Sequence, residues 1–270
     1  MRARAEGLRI PPSHVICTGD VVAYCAEPEA TVRLIRDWGC HVIKGNCEEK
    51  LAAREADCGC GFADGTACDL LSRGWYAFAD GAISGDSRAW MASLPAHLTF
   101  ELAGRTARVI HGGVSETSRF IFASTPAAEK RAELAAAGAD IVIGGHCGLP
   151  FIQRLGVRIW FNPGVIGMPA NDGTRDGWFG LIEPQKDGVR FRIERLAYDA
   201  ATAAARLREA GFAAPYADAL IGGLWPDLDI LPKRERAATG VRLADTALDF
   251  RVSRSGLRSD HPASKLRQSR

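Results

Sequence analysis

The chain has 270 residues, of which 47% are hydrophobic and 24% charged, with a formal net charge of +2. That length and composition allow a sizeable core, one domain of roughly 220–250 residues, and exclude a wholly disordered chain. No apolar run approaches the ~20 residues of a spanning helix, and Met1 to Gly7 lack an apolar signal-peptide core, so a cytoplasmic location is expected. The charge is uneven: residues 251–270 hold six Lys/Arg against one acid, leaving 28 bases and 31 acids in residues 1–250. A mildly acidic body argues against a general nucleic-acid binder, and the basic end reads as a solvated tail.

Residues 1–13 read as the end of a helix and a turn closed by Pro11-Pro12. Val15–Thr18 is a short apolar strand that runs into Gly19-Asp20. Pro28 opens a helix to Trp38, closed by Gly39, and a second strand, His41–Lys44, ends at Gly45-Asn46-Cys47-Glu48-Glu49. Strand, short helix, strand is the pattern of a right-handed parallel unit. A helix follows from Glu48 to Ala56, where Glu48 and Glu49 favour the N-terminal dipole. An irregular Cys/Gly-rich stretch over 57–65 leads to helical segments over 67–79 and 85–94.

Leu98–Leu102 and Thr106–Ile110 flank Ala103-Gly104-Arg105 and predict a hairpin whose second arm ends in His111-Gly112-Gly113. Pro126–Ala137 is a helix. Ile141–Ile143 is a strand that ends in Gly144-Gly145-His146-Cys147-Gly148. Residues 149–154, 157–161, 178–183 and 189–196 read as an antiparallel run, with a sharp turn at Asn162-Pro163-Gly164. Helices are expected over 199–210 and 215–224, closing a domain of residues 1–232. Little fixed structure is expected over 233–270.

The eight cysteines read as thiols in a chain without an export signal. Cys58, Cys60 and Cys68 lack the fourth ligand and the wider pair spacing of a closed zinc site, so turn and packing roles are expected. Asn171-Asp172-Gly173 reads as a turn first and a substrate rim second. His14, His41 and His97 read as structural.

Four strand ends carry Asp20, Asn46, His111 and His146, each beside a glycine that lets the backbone turn sharply. A carboxylate, an amide and two imidazoles on one rim make an oxygen/nitrogen set that suits Mn²⁺, Fe or Zn²⁺. Gly19-Asp20, Gly45-Asn46-Cys47-Glu48, His111-Gly112, Gly145-His146-Cys147-Gly148 and Asn162-Pro163-Gly164 resemble, in order, the motifs of calcineurin-like metallophosphoesterases over residues 12–196.

That resemblance implies an α/β fold of two stacked mixed sheets flanked by helices. It also implies a centre of one or two divalent ions (Mn first, with Fe, Zn, Ni or Mg as alternatives) and hydrolysis of phosphomonoesters, phosphodiesters or nucleotides. Asp20 would bridge, and Asn46, His111 and His146 would complete the second metal's shell. Asn46 would also donate towards phosphate, and Cys47 stands where a histidine assists the leaving group. The partner implied is a small phosphorylated substrate, with an oligomer compatible. Two departures are visible. Gly148 replaces the second His of the family's Gly-His-x-His, and the family's opening strand with its Asp-x-His has no counterpart before Asp20. An earlier start would supply that strand. The alternative function is that of a truncated or degenerate relative that binds one metal or none in a regulatory role.

Overall fold

The computed structural model describes residues 1–24, 26–60, 62, 65–211, 214–251 and 267–268, with the backbone alone at 67, 68, 267 and 268. The parallel unit forms as read: β1 (Ile16–Cys17), α2 (Pro28–Trp38) and β2 (His41–Val42), after a short α1 (Arg2–Gly7). Its ladder is short, with the His41 amide donating to Val15 O and the Ile43 amide to Cys17 O. Gly39 closes α2 in the left-handed region, as a C-terminal glycine does. Then come α3 (Asn46–Ala53), α4 (Ala67–Ala82) and α5 (Gly85–Ser93), the last two capped by the hydroxyls of Thr66 and Ser84.

The central sheet is six-stranded and mixed. In sequence it comprises β3 (Leu98–Leu102), β4 (Arg105–Val109), β5 (Ile141–Ile143), β6 (Phe151–Leu155), β7 (Arg158–Asn162) and β11 (Arg267–Gln268). In space the order is β11-β3-β4-β5-β7-β6, and α6 (Ala127–Ala136) makes the crossover between the parallel neighbours β4 and β5. Period-two alternation assigns the two faces. Ile141, Ile143, Ile159 and Phe161 point into one core, and Val142 and Trp160 point into another beneath Leu134 of α6.

The first of those cores is the interface of two stacked layers. Its far side is supplied by β8 (Gly177–Gln185), β9 (Gly188–Leu196) and β10 (Thr246–Arg251), an antiparallel sheet in the order β10-β9-β8. Val189, Phe191, Ile193 and Phe250 enter the same core from that sheet, joined by Ile43 and Ile16 from the parallel unit. The stacked sheets and flanking helices are therefore as expected, but β1 and β2 pair only with each other among the described strands. A third core joins α2 to α5 with α7 (Ala200–Glu209) and α8 (Ala214–Gly222) around the fully buried Trp75.

The expectation of little structure beyond Pro232 needs correction. After α9 (Lys233–Ala237), β10 pairs in register with β9 from Thr246↔Ile193 to Arg251↔Gly188. Alternation of Ala247, Leu248, Asp249, Phe250 and Arg251 gives only one deeply buried residue, Phe250, which is why the strand is faint in the sequence. Residues 252–266, 269 and 270 of the expected tail lie outside the described residues.

Asn171-Asp172-Gly173 is a structural turn. The carboxylate of Asp172 accepts from Thr174 N and Oγ1, from Leu243 N at 3.0 Å and from Arg195 Nη2 at 2.8 Å. Arg195 also covers the Trp178 ring at 4.4 Å. Burial alone would raise the Asp172 pKa, but these bonds outweigh it and hold it below the ordinary value. The resulting stabilisation is present above the unfolded carboxylate pKa of ~3.9 and is lost as pH falls through the lower folded value. Asp172→Asn is expected to cost about 2–4 kcal/mol at neutral pH. Urea denaturation should show that gap shrinking once pH drops below ~3.9; a gap independent of pH would contradict the assignment.

Candidate metal centre

The four strand ends meet. His111 follows β4, and the ladder continues past the strand, with Ile110 N donating to Ile143 O and Gly145 N to His111 O. His146 follows β5, Asp20 follows β1, and Asn46 opens α3. Around His111 Nε2 lie Asn46 Oδ1 at 3.0 Å, Asp20 Oδ2 at 3.1 Å and His146 Nδ1 at 3.1 Å. The other ring nitrogen, His111 Nδ1, faces the carbonyl oxygen of Thr18 at 2.6 Å and so carries a hydrogen that it donates there.

In a neutral His111 ring, Nε2 is then a lone pair, and it faces a carboxylate oxygen, an amide oxygen and a second imidazole nitrogen. Four acceptors pointed at one another repel unless a proton on Nε2 or a metal ion sits among them. The donor set thus fits a divalent metal. Among the described residues, Asp20, His111 and His146 are the one group of three or more His, Cys, Asp and Glu side chains with this convergence.

Without a metal, the cluster's charges settle on one another. Burial pushes the Asp20 carboxyl up, but the adjacent His111 overcomes this and brings it to about 2. Burial lowers His111, yet the charge of Asp20 and the hydrogen bond to it raise it to about 9. Burial and the neighbouring His111 together take His146 down to about 3. His146 Nε2 is buried without a hydrogen-bond partner.

The backbone is bent to make this possible. Asp20 and His146 have φ values of +55° and +58°, a region that L side chains rarely occupy and that strained functional positions do. Gly19 and Gly45 are packed against each other: a Cβ on Gly45 would lie 2.3 Å from Asp20 Oδ1. Only glycine fits there.

Glu48 does more than the expected service to a helix dipole. Its fully buried carboxylate accepts from Gly45 N, closing the N-terminus of α3, and from Asp20 N and Val21 N, each at 2.8 Å. It therefore ties the Asp20 turn to the Asn46 helix. The spacing Gly45-x-x-Glu48 is half of a capping box and was the sequence's signal for this role.

Two expectations for α3 need correction. Asn46 does not offer its amide hydrogens to the cavity, because Nδ2 donates to Cys58 O at 2.9 Å and approaches Cys60 Sγ at 3.5 Å. The role of those bonds is to aim Oδ1 at His111. Cys47 is 1% exposed, inside the helical core, and is not on the cavity wall. Burial, then the charges of Asp20 and Glu48, push its thiol well above the ordinary value. Its contribution to the site is its main-chain N–H, which donates to Asp20 Oδ1 at 3.0 Å. A proton donor must reach the leaving oxygen, and this thiol does not face the space where one would sit.

Cys58 and Cys60 are joined by a disulfide across Gly59, contrary to the expectation of thiols. Gly59 in the left-handed region turns the chain so that side chains two apart meet. The side chain of Cys68 lies outside the described residues. His41 hydrogen-bonds Ser13 O on the surface, in keeping with a structural role.

Asp20, His111 and His146 form the floor of a cavity of ≈ 130 Å³ walled by Tyr24, Phe62, Phe120, Met168, Tyr216 and Trp225. None of these stood out in the sequence, because they come from six separate segments and no local spacing links them.

Comparison with known proteins gives a consistent picture. Residues 2–187 match the calcineurin-like phosphoesterase superfamily domain. The chain is similar in structure to a metallophosphoesterase from Sphaerobacter thermophilus, with 20% identity and a TM-score of 0.60 over 77% of this chain and 86% of that one. It is also similar to a hypothetical protein from Pyrococcus horikoshii OT3, with 15% identity and a TM-score of 0.63 over 77% of this chain and 84% of that one. At these identities the likeness shows the fold. No curated protein matches the chain. Among the described residues no helix is long and apolar enough to cross a membrane.

Replacement of Glu48 by Gln halves its acceptor capacity and strands at least one buried N–H. The expected outcome is a loss of about 1–3 kcal/mol in urea denaturation. Metal affinity, measured by calorimetric titration, should fall about 10–100-fold. An unchanged affinity would show that the Asp20 turn holds itself.

Proposed function

This chain belongs to the calcineurin-like phosphoesterase superfamily, and on that premise we propose that it is a metal-dependent phosphoesterase acting on a small phosphorylated substrate at the Asp20, Asn46, His111 and His146 cluster. The observation that carries this reading is the convergence of Asp20 Oδ2, Asn46 Oδ1 and His146 Nδ1 on His111 Nε2, each within 3.1 Å of it. A divalent ion held there, Mn²⁺ in the first instance, would supply Lewis-acid polarisation of a phosphoryl oxygen and lower the pKa of a bound water towards neutrality.

The protein's own part is positioning. Thr18 O holds the His111 ring so that Nε2 faces the cluster. Cys58 O holds the Asn46 amide so that its oxygen does the same. Asp20 takes two partners at once, with Oδ1 fixed by Cys47 N and Oδ2 turned to His111. The aromatic walls give the site an apolar surround, in which electrostatic interactions are stronger than in open water.

A second reading follows from the number of ligands. The cluster of described residues accounts for one ion, and Gly148 has no ligating side chain. A protein that binds a single ion and does not turn over, serving as a binding or regulatory module, is the competing function.

Hydrolysis of bis(p-nitrophenyl) phosphate and p-nitrophenyl phosphate with added Mn²⁺ separates the two. Turnover that requires the metal and falls to background in Asp20→Asn and His111→Ala is the expected result. A folded protein that binds Mn²⁺ in calorimetry but turns over neither ester would assign the binding role instead.

A further inference from the structure

We propose, resting on the phosphoesterase reading above, that the site selects singly charged phosphodiesters carrying an apolar ring and disfavours phosphomonoesters. Two features of the cavity lead there.

The first is charge. Among the described residues that line the cavity there is no Lys or Arg, and two carboxylates are present, Asp20 in the floor and Asp227 on the wall. A phosphomonoester carries a charge of −1.5 to −2 near neutral pH, because its second ionisation lies at about 6. A diester carries a single negative charge. Sites built for the dianion surround it with Arg and Lys. Here one divalent ion beside Asp20 leaves a single net positive charge, which one diester anion neutralises. A second negative charge would face Asp227 in a setting where apolar walls leave it poorly screened.

The second is surface chemistry. Phe120 lies against the His146 ring with centroids 4.3 Å apart and 32° between planes, so the apolar surface begins at the metal ligand itself. Phe62 continues it at 6.1 Å from Phe120. On another wall Tyr24 stacks on Tyr216 at 4.5 Å and 15°. Trp225 is held in place by its own N–H bonds, from the main chain to Asn171 Oδ1 at 2.9 Å and from the indole to Pro169 O at 2.6 Å. Aromatic faces spaced in this way accept a ring by offset or edge packing.

Non-hydrolysed C–P analogues test the ranking directly. Methyl phenylphosphonate has one charge and one ring, phenylphosphonate has two charges and the same ring, and methyl methylphosphonate has one charge and no ring. Their binding to the Mn²⁺-loaded protein can be read by tryptophan fluorescence at a pH well above the second ionisation of phenylphosphonate, where it is a dianion. Methyl phenylphosphonate is expected to bind at least about tenfold tighter than either of the others. Tighter binding of phenylphosphonate overturns the charge argument, and equal binding of methyl methylphosphonate overturns the ring argument.

Asp227→Lys should narrow the gap between methyl phenylphosphonate and phenylphosphonate, and Trp225→Ala should narrow the gap between the analogues with and without a ring. Trp225→Phe keeps an aromatic wall and should retain the preference, so a folding defect in the alanine variant does not decide the question. Hydrolysis that favours p-nitrophenyl phosphate over methyl p-nitrophenyl phosphate would sink this inference and leave the phosphoesterase reading standing. Tight, ring-dependent binding with no hydrolysis of any ester would do the reverse.

Discussion

Mutual repulsion among lone pairs is the constraint on which the site depends. Asp20 Oδ2, Asn46 Oδ1, His146 Nδ1 and His111 Nε2 gather in an otherwise apolar setting around a shared positive charge, a proton on His111 Nε2 or a metal ion in its place. Every unusual feature nearby serves to keep them gathered. Left-handed backbone at Asp20 and His146 aims two of them. Carbonyl oxygens of Thr18 and Cys58 orient the other two by accepting from their far nitrogens. The strain is tolerable because the surrounding ladder of β4, β5 and β7 continues through Ile110 and Gly144 to the edge of the loops, leaving them little freedom to relax.

Around that point the chain solves a packing problem with two carboxylates. Glu48 is deeply buried and anionic groups are rarely so, yet it accepts three main-chain hydrogens from two different turns. Asp172 does the equivalent work next to Asn171, where Arg195 supplies its counter-charge. Both act as cross-braces between segments distant in sequence, one at the metal ligands and one beneath the cavity's tryptophan. Neither lies on the cavity wall.

Strand ends were legible in the sequence because short apolar runs ending in glycine and a polar residue are a local pattern. That pattern located Asp20, Asn46, His111 and His146, and the stacked α/β architecture followed from the resemblance their order carries. Orientation was not legible. Asn46 and Cys47 are adjacent on one helical turn, and sequence gives no means to tell that the amide nitrogen is spent on Cys58 or that the thiol faces the helical core. Strand β10 was missed because its only deeply buried side chain is Phe250, so alternation within it is masked by polar edge positions. The aromatic walls escaped notice for a different reason: Tyr24, Phe120, Tyr216 and Trp225 meet only through tertiary packing.

Asn171 gives the C-terminal segment an influence over the cavity. Its side-chain oxygen accepts from Trp225 N, its side-chain nitrogen donates to Thr239 Oγ1, and its carbonyl accepts from Gly240 N. One residue thus fastens a cavity wall to the chain that runs on into β10. Local opening of that last strand and loosening of the wall are coupled motions, and a ligand resting on Trp225 would slow amide exchange in a strand it never touches. Shortening the protein at Pro232 to obtain a tidier domain would remove Thr239 and Gly240 and release the wall. The edge of the domain and the shape of its binding cavity are set by the same hydrogen bonds.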